Sequence, residues 1–106
     1  MSLSWAYNPD GRTVNEKEWT FNSSQRIATV VSSGNPQIQS AYSSRVQVSG
    51  NTLTLSNIQE EDSGVYTFEV IFTTFDPRWI KSDAQLIVVG KSPYNTFTTE
   101  MFMIYN

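Results

Sequence analysis

The residues in this chain best suited to chemistry are three consecutive carboxylates, Glu60, Glu61 and Asp62. Paired carboxylates hydrolyse glycosides when a cleft holds them on either side of a sugar. Clustered ones bind calcium when six or more oxygens converge. Here the run passes straight into Ser63-Gly64, a polar turn in which charges are ordinarily solvated, and loop acids alone rarely complete a calcium shell. The 106-residue chain has no His and no Cys. Imidazole bases, thiol nucleophiles, thiolate zinc sites and disulfides are therefore excluded. No catalytic residue, cofactor or metal site is expected, and the chain reads as a non-enzyme. A net charge of −3 with 16% charged residues argues against a nucleic-acid-binding patch. No run of about 18 apolar residues exists to insert into a membrane.

The carboxylate turn lies between two extended stretches that organise the chain. Leu53 and Leu55 alternate with Thr52, Thr54 and Ser56, the period of a half-buried strand. Past the turn, Tyr66, Phe68 and Val70 share one face, and Val65, Thr67 and Glu69 the other. A Tyr two residues beyond a turn Gly fits a tyrosine corner, whose hydroxyl bonds back to upstream backbone. Val, Thr, Ser and aromatic residues are plentiful, and Pro and Gly fall between short apolar runs, which predicts an all-β sandwich or barrel. Leu3, Trp5 and Tyr7 alternate in a first strand, and Asn8-Pro9-Asp10-Gly11 is a turn. Strands follow over roughly 16–22, with Trp19 and Phe21 in phase, and over 26–31. Residues 38–42 read as an edge strand or loop, and 45–48 as a short strand. The strands around the turn come next, the second running to about Phe72. Residues 73–78 form a loop, and 80–89 a last strand with Ala84, Leu86 and Val88 on one face. Met1-Ser2-Leu3 enters a strand pattern with no signal peptide before it, as expected of a segment excised from a longer chain.

In this order the strands resemble B, C, C′, C″, D, E, F and G of a V-set immunoglobulin domain, over residues 2–89. Trp5 and Phe68 take the places of the two half-cystines, and Trp19 that of the buried strand-C Trp. Arg45 and Asp62 match an ion pair across the bottom of the sandwich, and Gly64 the turn glycine. The resemblance implies a Greek-key sandwich of two antiparallel sheets without the disulfide, its centre filled by Trp5 against Phe68. Loss of that bridge costs about 2–5 kcal/mol. Burying an aromatic ring returns roughly 1.5–3 kcal/mol and a ring pair about 0.5–1.5 more, so rings can replace sulfur. The Leu-x-Trp-x-Tyr of Leu3 to Tyr7, the Asp10-Gly11 turn and Trp19 are similar to cnidarian surface receptors, hydroid allorecognition proteins among them. More distantly, Ala41 to Arg45 is similar to the cysteine-free N-terminal domain of the carcinoembryonic-antigen adhesion molecules.

Both resemblances imply the ectodomain of a single-pass plasma-membrane protein, binding a protein partner outside the cell. That partner is expected to be another copy on an apposed cell, engaged through the GFCC′ sheet; a strand-swapped or face-to-face dimer is included. By strand parity the outward residues are Glu18, Thr20, Thr67, Glu69, Ile71, Asp83, Gln85 and Ile87, and the F–G loop adds Phe75, Arg78 and Trp79. Arg and aromatic side chains are the usual interface anchors, although Phe75 and Trp79 could equally cap the open end of the sandwich. The Phe-Gly-x-Gly bulge signature that pairs antibody V domains is absent from strand G. Asn22-Ser23-Ser24 is an N-glycosylation sequon on the C–C′ loop, where a glycan would fence one edge of the face. A spacer module of a receptor stalk and a soluble carbohydrate or pathogen binder are the competing functions.

A V-set domain begins with strand A, which has no counterpart before Leu3. After strand G, residues 91–106 are apolar and β-prone, with Phe97, Met101, Phe102, Met103, Ile104 and Tyr105. Unpaired in water, such a segment would be an aggregation hazard. It reads as an A-like strand packed on the same copy or swapped into another, or as the start of a following domain.

Overall fold

The computed structural model describes residues 1–9, 11–32, 34–73, 79–89 and 98–105, with Val89 and the last stretch given by backbone alone. The strands are β1 (Ser2–Ser4), β2 (Val14–Phe21), β3 (Gln25–Val31), β4 (Gln37–Ile38), β5 (Val46–Ser49), β6 (Thr52–Leu55), β7 (Gly64–Phe72), β8 (Trp79–Val89) and β9 (Thr98–Tyr105). Single 3₁₀ turns occupy Ser40–Tyr42 and Glu60–Asp62. They form two antiparallel sheets. One has three strands in the order β1-β6-β5, and the other six in the order β4-β3-β2-β7-β8-β9. Strands C, C′, F and G of the sequence reading are β2, β3, β7 and β8, side by side in the larger sheet.

Alternation builds the larger sheet. In β7, Tyr66, Phe68, Val70 and Phe72 are buried, and the residues between them are half-buried. In β8, Ser82, Ala84, Leu86 and Val88 are buried. One irregularity breaks the period. Trp19 pairs with Ala28 and Thr20 with Arg26, so Ile27 is an extra residue in β3, and Ile27 and Ala28 are both fully buried. The β2–β3 turn has positive φ at Asn22 (50°) and Ser23 (62°), with the Ser24 N–H donating to the Phe21 carbonyl at 3.3 Å. Two successive positive φ values give the turn the twist that antiparallel strands need. Asn22 Oδ1 accepts the Val65 N–H at 2.9 Å, so this turn also fixes the start of β7. Gly64 is required there by close approach. A Cβ would stand 2.5 Å from Asn22 Oδ1 and 2.7 Å from the Phe21 ring.

Three expectations shift. The first strand ends at Ser4, although Trp5 N–H still reaches the Asn51 carbonyl at 3.2 Å. Residues 38–42 divide into a two-residue edge strand and a 3₁₀ turn. Trp79, read as loop, is the first residue of β8, cross-strand from Ile71. At the far edge, β9 runs antiparallel to β8, from Val89↔Thr98 to Ser82↔Tyr105.

The inner faces meet around Phe68. Its ring lies 5.6 Å from Trp5, 5.0 Å from Trp19 and 6.1 Å from Tyr7, and Leu3, Leu53 and Leu55 close over from the smaller sheet. Among the described residues the indole N–H groups of Trp5 and Trp19 find no acceptor. Each such donor costs about 1–3 kcal/mol, so the cluster rests on area burial and ring contacts rather than on polar pairing. At the bottom, Asp62 turns inward from the 3₁₀ turn. One carboxylate oxygen pairs with Arg45, and the other accepts the Gln59 N–H at 2.8 Å. Tyr66 OH donates to the Asp62 carbonyl at 2.7 Å. Burial, and next the Asp62 charge, push the Tyr66 phenol well above its ordinary value.

Candidate recognition surface

Cross-strand register arranges the outward residues of the larger sheet in three rows. The first runs Val31, Glu16, Ile71, Trp79 over β3, β2, β7 and β8. Val31 is 58% and Trp79 53% exposed, with Ile71 half-buried beside Trp79. The second row is Thr29, Glu18, Glu69, Lys81, and the third Arg26, Thr20, Thr67, Asp83. Rows are two residues apart, about 7 Å, and columns about 4.8 Å. Hydrophobic groups thus collect at the end nearest the β7–β8 loop, and polar groups at the β2–β3 turn.

Charge is ordered along the middle row. Glu18 and Glu69 are direct cross-strand partners, a like-charge placement that opposes sheet formation. Each is neutralised from its outer side. Arg26 Nε stands 3.4 Å from Glu18, and Lys81 Nζ 3.4 Å from Glu69. Lys81 also lies 5.1 Å from the Trp79 ring centre, so it joins the charged row to the apolar one. Thr67 donates its hydroxyl proton to Asp83 at 2.7 Å. Glu18, Thr20, Ser23, Thr67, Glu69 and Lys81 line a shallow depression of about 200 Å³. Its lining offers hydroxyls, carboxylates and the Lys81 ammonium. Among the described residues no three acidic groups converge to hold a metal ion.

Glu18, Thr20, Thr67, Glu69, Ile71, Trp79, Asp83 and Gln85 therefore occupy one face, and Ile87 (37% exposed) lies farther along β8. Phe75 and Arg78 lie outside the described residues. Asn22 is exposed on the turn at the polar end. Sequence reasoning missed Lys81, Arg26, Glu16 and Val31. Lys81 shares the parity of Asp83 and Gln85, so it could have been found. Val31 could not, because the extra residue Ile27 inverts the parity of β3 beyond it.

No family model matches the sequence, and no curated protein matches it. Among solved structures, the first Ig-like domain of human CD48 antigen, determined in solution, is similar. Its TM-score is 0.57 at 14% identity, over 95% of this chain and 68% of that one. Identity this low carries the fold alone: an all-β, immunoglobulin-like sandwich, here without a disulfide.

Proposed function

We propose that this chain is an extracellular recognition module of a cell-surface protein, and that it binds a second copy of itself through the outward face of β8, β7, β2 and β3. An immunoglobulin-like fold is commonly used for cell-surface recognition, and the strand motifs similar to cnidarian receptors support a role in self/non-self discrimination or cell–cell adhesion. The observation that carries the reading is the row Val31, Ile71, Trp79. With Glu16 between Val31 and Ile71, it sets the exposed Val31 and Trp79 and the half-buried Ile71 in register on strands whose neighbouring rows are polar. Interfaces mix apolar anchors with a polar surround in this way. Sedimentation of the chain and of Ile71→Glu tests it. The parent should associate, and the variant should stay monomeric with its melting temperature changed by no more than a few degrees. A monomeric parent, or equal association of both, overturns the reading.

A further inference from the structure

Self-binding through this face, taken as given, leaves the arrangement of the two copies to be found, and the rows restrict it. A homodimer contact is isologous: whatever residue i touches, its counterpart touches in return. When two sheets meet face to face the twofold axis lies in the contact plane, either across the strands or along them.

An axis across the strands keeps each column over itself and reverses the rows. Centred on the middle row, it lays Glu18 on Glu18, Glu69 on Glu69 and Lys81 on Lys81. Centred on the apolar row, it lays Glu16 on Glu16 and leaves the charged row outside the contact. Centred between them, it presses Ile71 onto Glu69. Each of these three centres opposes like charges or buries a charge against an apolar group, and like-charge juxtaposition across an interface costs several kcal/mol. A fourth, between the charged and polar rows, sets Lys81 on Asp83 but lays Trp79 over Gln85, away from the other apolar anchors.

An axis along the strands keeps the rows and reverses the columns. With columns about 4.8 Å apart, an axis just to the β8 side of β7 brings Lys81 over the gap between Glu18 and Glu69 of the other copy, and the reverse by symmetry. The same displacement interleaves Ile71 and Trp79 of both copies in the apolar row. We propose that the two copies pair in this second way, face to face about a twofold axis along β7, with Lys81 of each held between Glu18 and Glu69 of the other. Each copy thereby supplies the cation that the facing carboxylates lack between them. The contact needs no bulge in β8, whose register with β7 is unbroken from Gly64↔Leu86 to Ile71↔Trp79. Because the rows stay in order, both copies stand the same way up.

The absence of Cys makes the arrangement testable by cross-linking. Thr67 and Ile71 are four residues, about 13 Å, apart on β7, and the proposed axis passes beside both. Thr67→Cys and Ile71→Cys should each oxidise to a covalent dimer, while Gln85→Cys, one column away, should not. An axis across the strands can join only one of the two. Lys81→Glu should weaken association at least about tenfold, and mixing it with Glu18→Lys/Glu69→Lys should restore a heterodimer. Lys81→Gln is the milder variant, should either of these fail to fold. Cross-linking at only one β7 position, or no recovery on mixing, overturns the arrangement while loss of association in Ile71→Glu leaves self-binding intact. Association unaffected by Ile71→Glu overturns both.

Discussion

Glu18 and Glu69 face one another directly across β2 and β7, and each is held by a cation standing on its far side, Arg26 and Lys81. Within one copy the repulsion is screened rather than removed. Exposed pairs of this kind contribute about 0–1 kcal/mol. Lys81→Ala should therefore lower stability by less than about 1 kcal/mol at low ionic strength. In about 1 M salt, where the screening length is near 3 Å, the difference should vanish. Urea melts at the two salt concentrations, at protein concentrations too low for association, read this.

The ring cluster makes a second prediction. Phe68 contacts Trp5 and Trp19 at 5.6 and 5.0 Å in the middle of the sandwich. Phe68→Ala should cost about 3–5 kcal/mol, as large-to-small changes in a packed core do. Phe68→Leu keeps most of the volume and loses three ring pairs, with Trp5, Trp19 and Tyr7, for about 1.5–4.5 kcal/mol. Equal losses in the two variants, by chemical denaturation, would show that the ring contacts rather than the volume matter at this position.

The tyrosine corner gives a pH dependence. The folded state holds the Tyr66 phenol well above its ordinary value of 10.0, by burial and then by the Asp62 charge. Below pH 10 both folded and unfolded chains keep this proton. Above pH 10 the unfolded chain releases it and the folded chain does not, so folding stability falls as pH rises, by up to about 1.4 kcal/mol per unit. Tyr66→Phe should cost about 0.5–1.5 kcal/mol at neutral pH for the lost hydrogen bond. Its stability should decline less steeply than that of the parent between pH 10 and 11.

Asn22 carries two roles that can be separated. Its Oδ1 anchors the Val65 N–H, and it begins the sequon Asn22-Ser23-Ser24. Ser24→Ala destroys the sequon and leaves the anchor untouched. Expressed in a glycosylating host, the parent should carry one glycan's extra mass at Asn22, and Ser24→Ala should lose it without a change in melting temperature. Asn22→Ala should lose both the mass and about 1 kcal/mol.

Much of this fold can be read from residue order, because alternation and turn chemistry are local. Tyr66, Phe68 and Val70 announce their face by period, and Asp62-Ser63-Gly64 announces the turn. Legibility fails where pairing is set by a partner strand. Ile27 inserts into β3 only because Trp19 and Thr20 choose Ala28 and Arg26, and the outward place of Val31 follows from that. The start of β8 is likewise decided by Ile71, which pairs with Trp79 and draws it out of the loop. The candidate face is recognisable from parity, but its division into apolar, charged and polar rows is a matter of register, which no single strand encodes.

The three tryptophans are unequally placed: Trp5 and Trp19 are sealed among rings with no acceptor among the described residues for their indole protons, and Trp79 stands half in water on the outer face. The molecule therefore carries two optical reporters of different kinds. The interior pair should emit at short wavelength and shift to the red only when the sandwich opens, so it follows unfolding. Trp79 should emit at longer wavelength and move to the blue, or become shielded from iodide, whenever something covers that face, so intrinsic fluorescence can follow unfolding and docking without an added label.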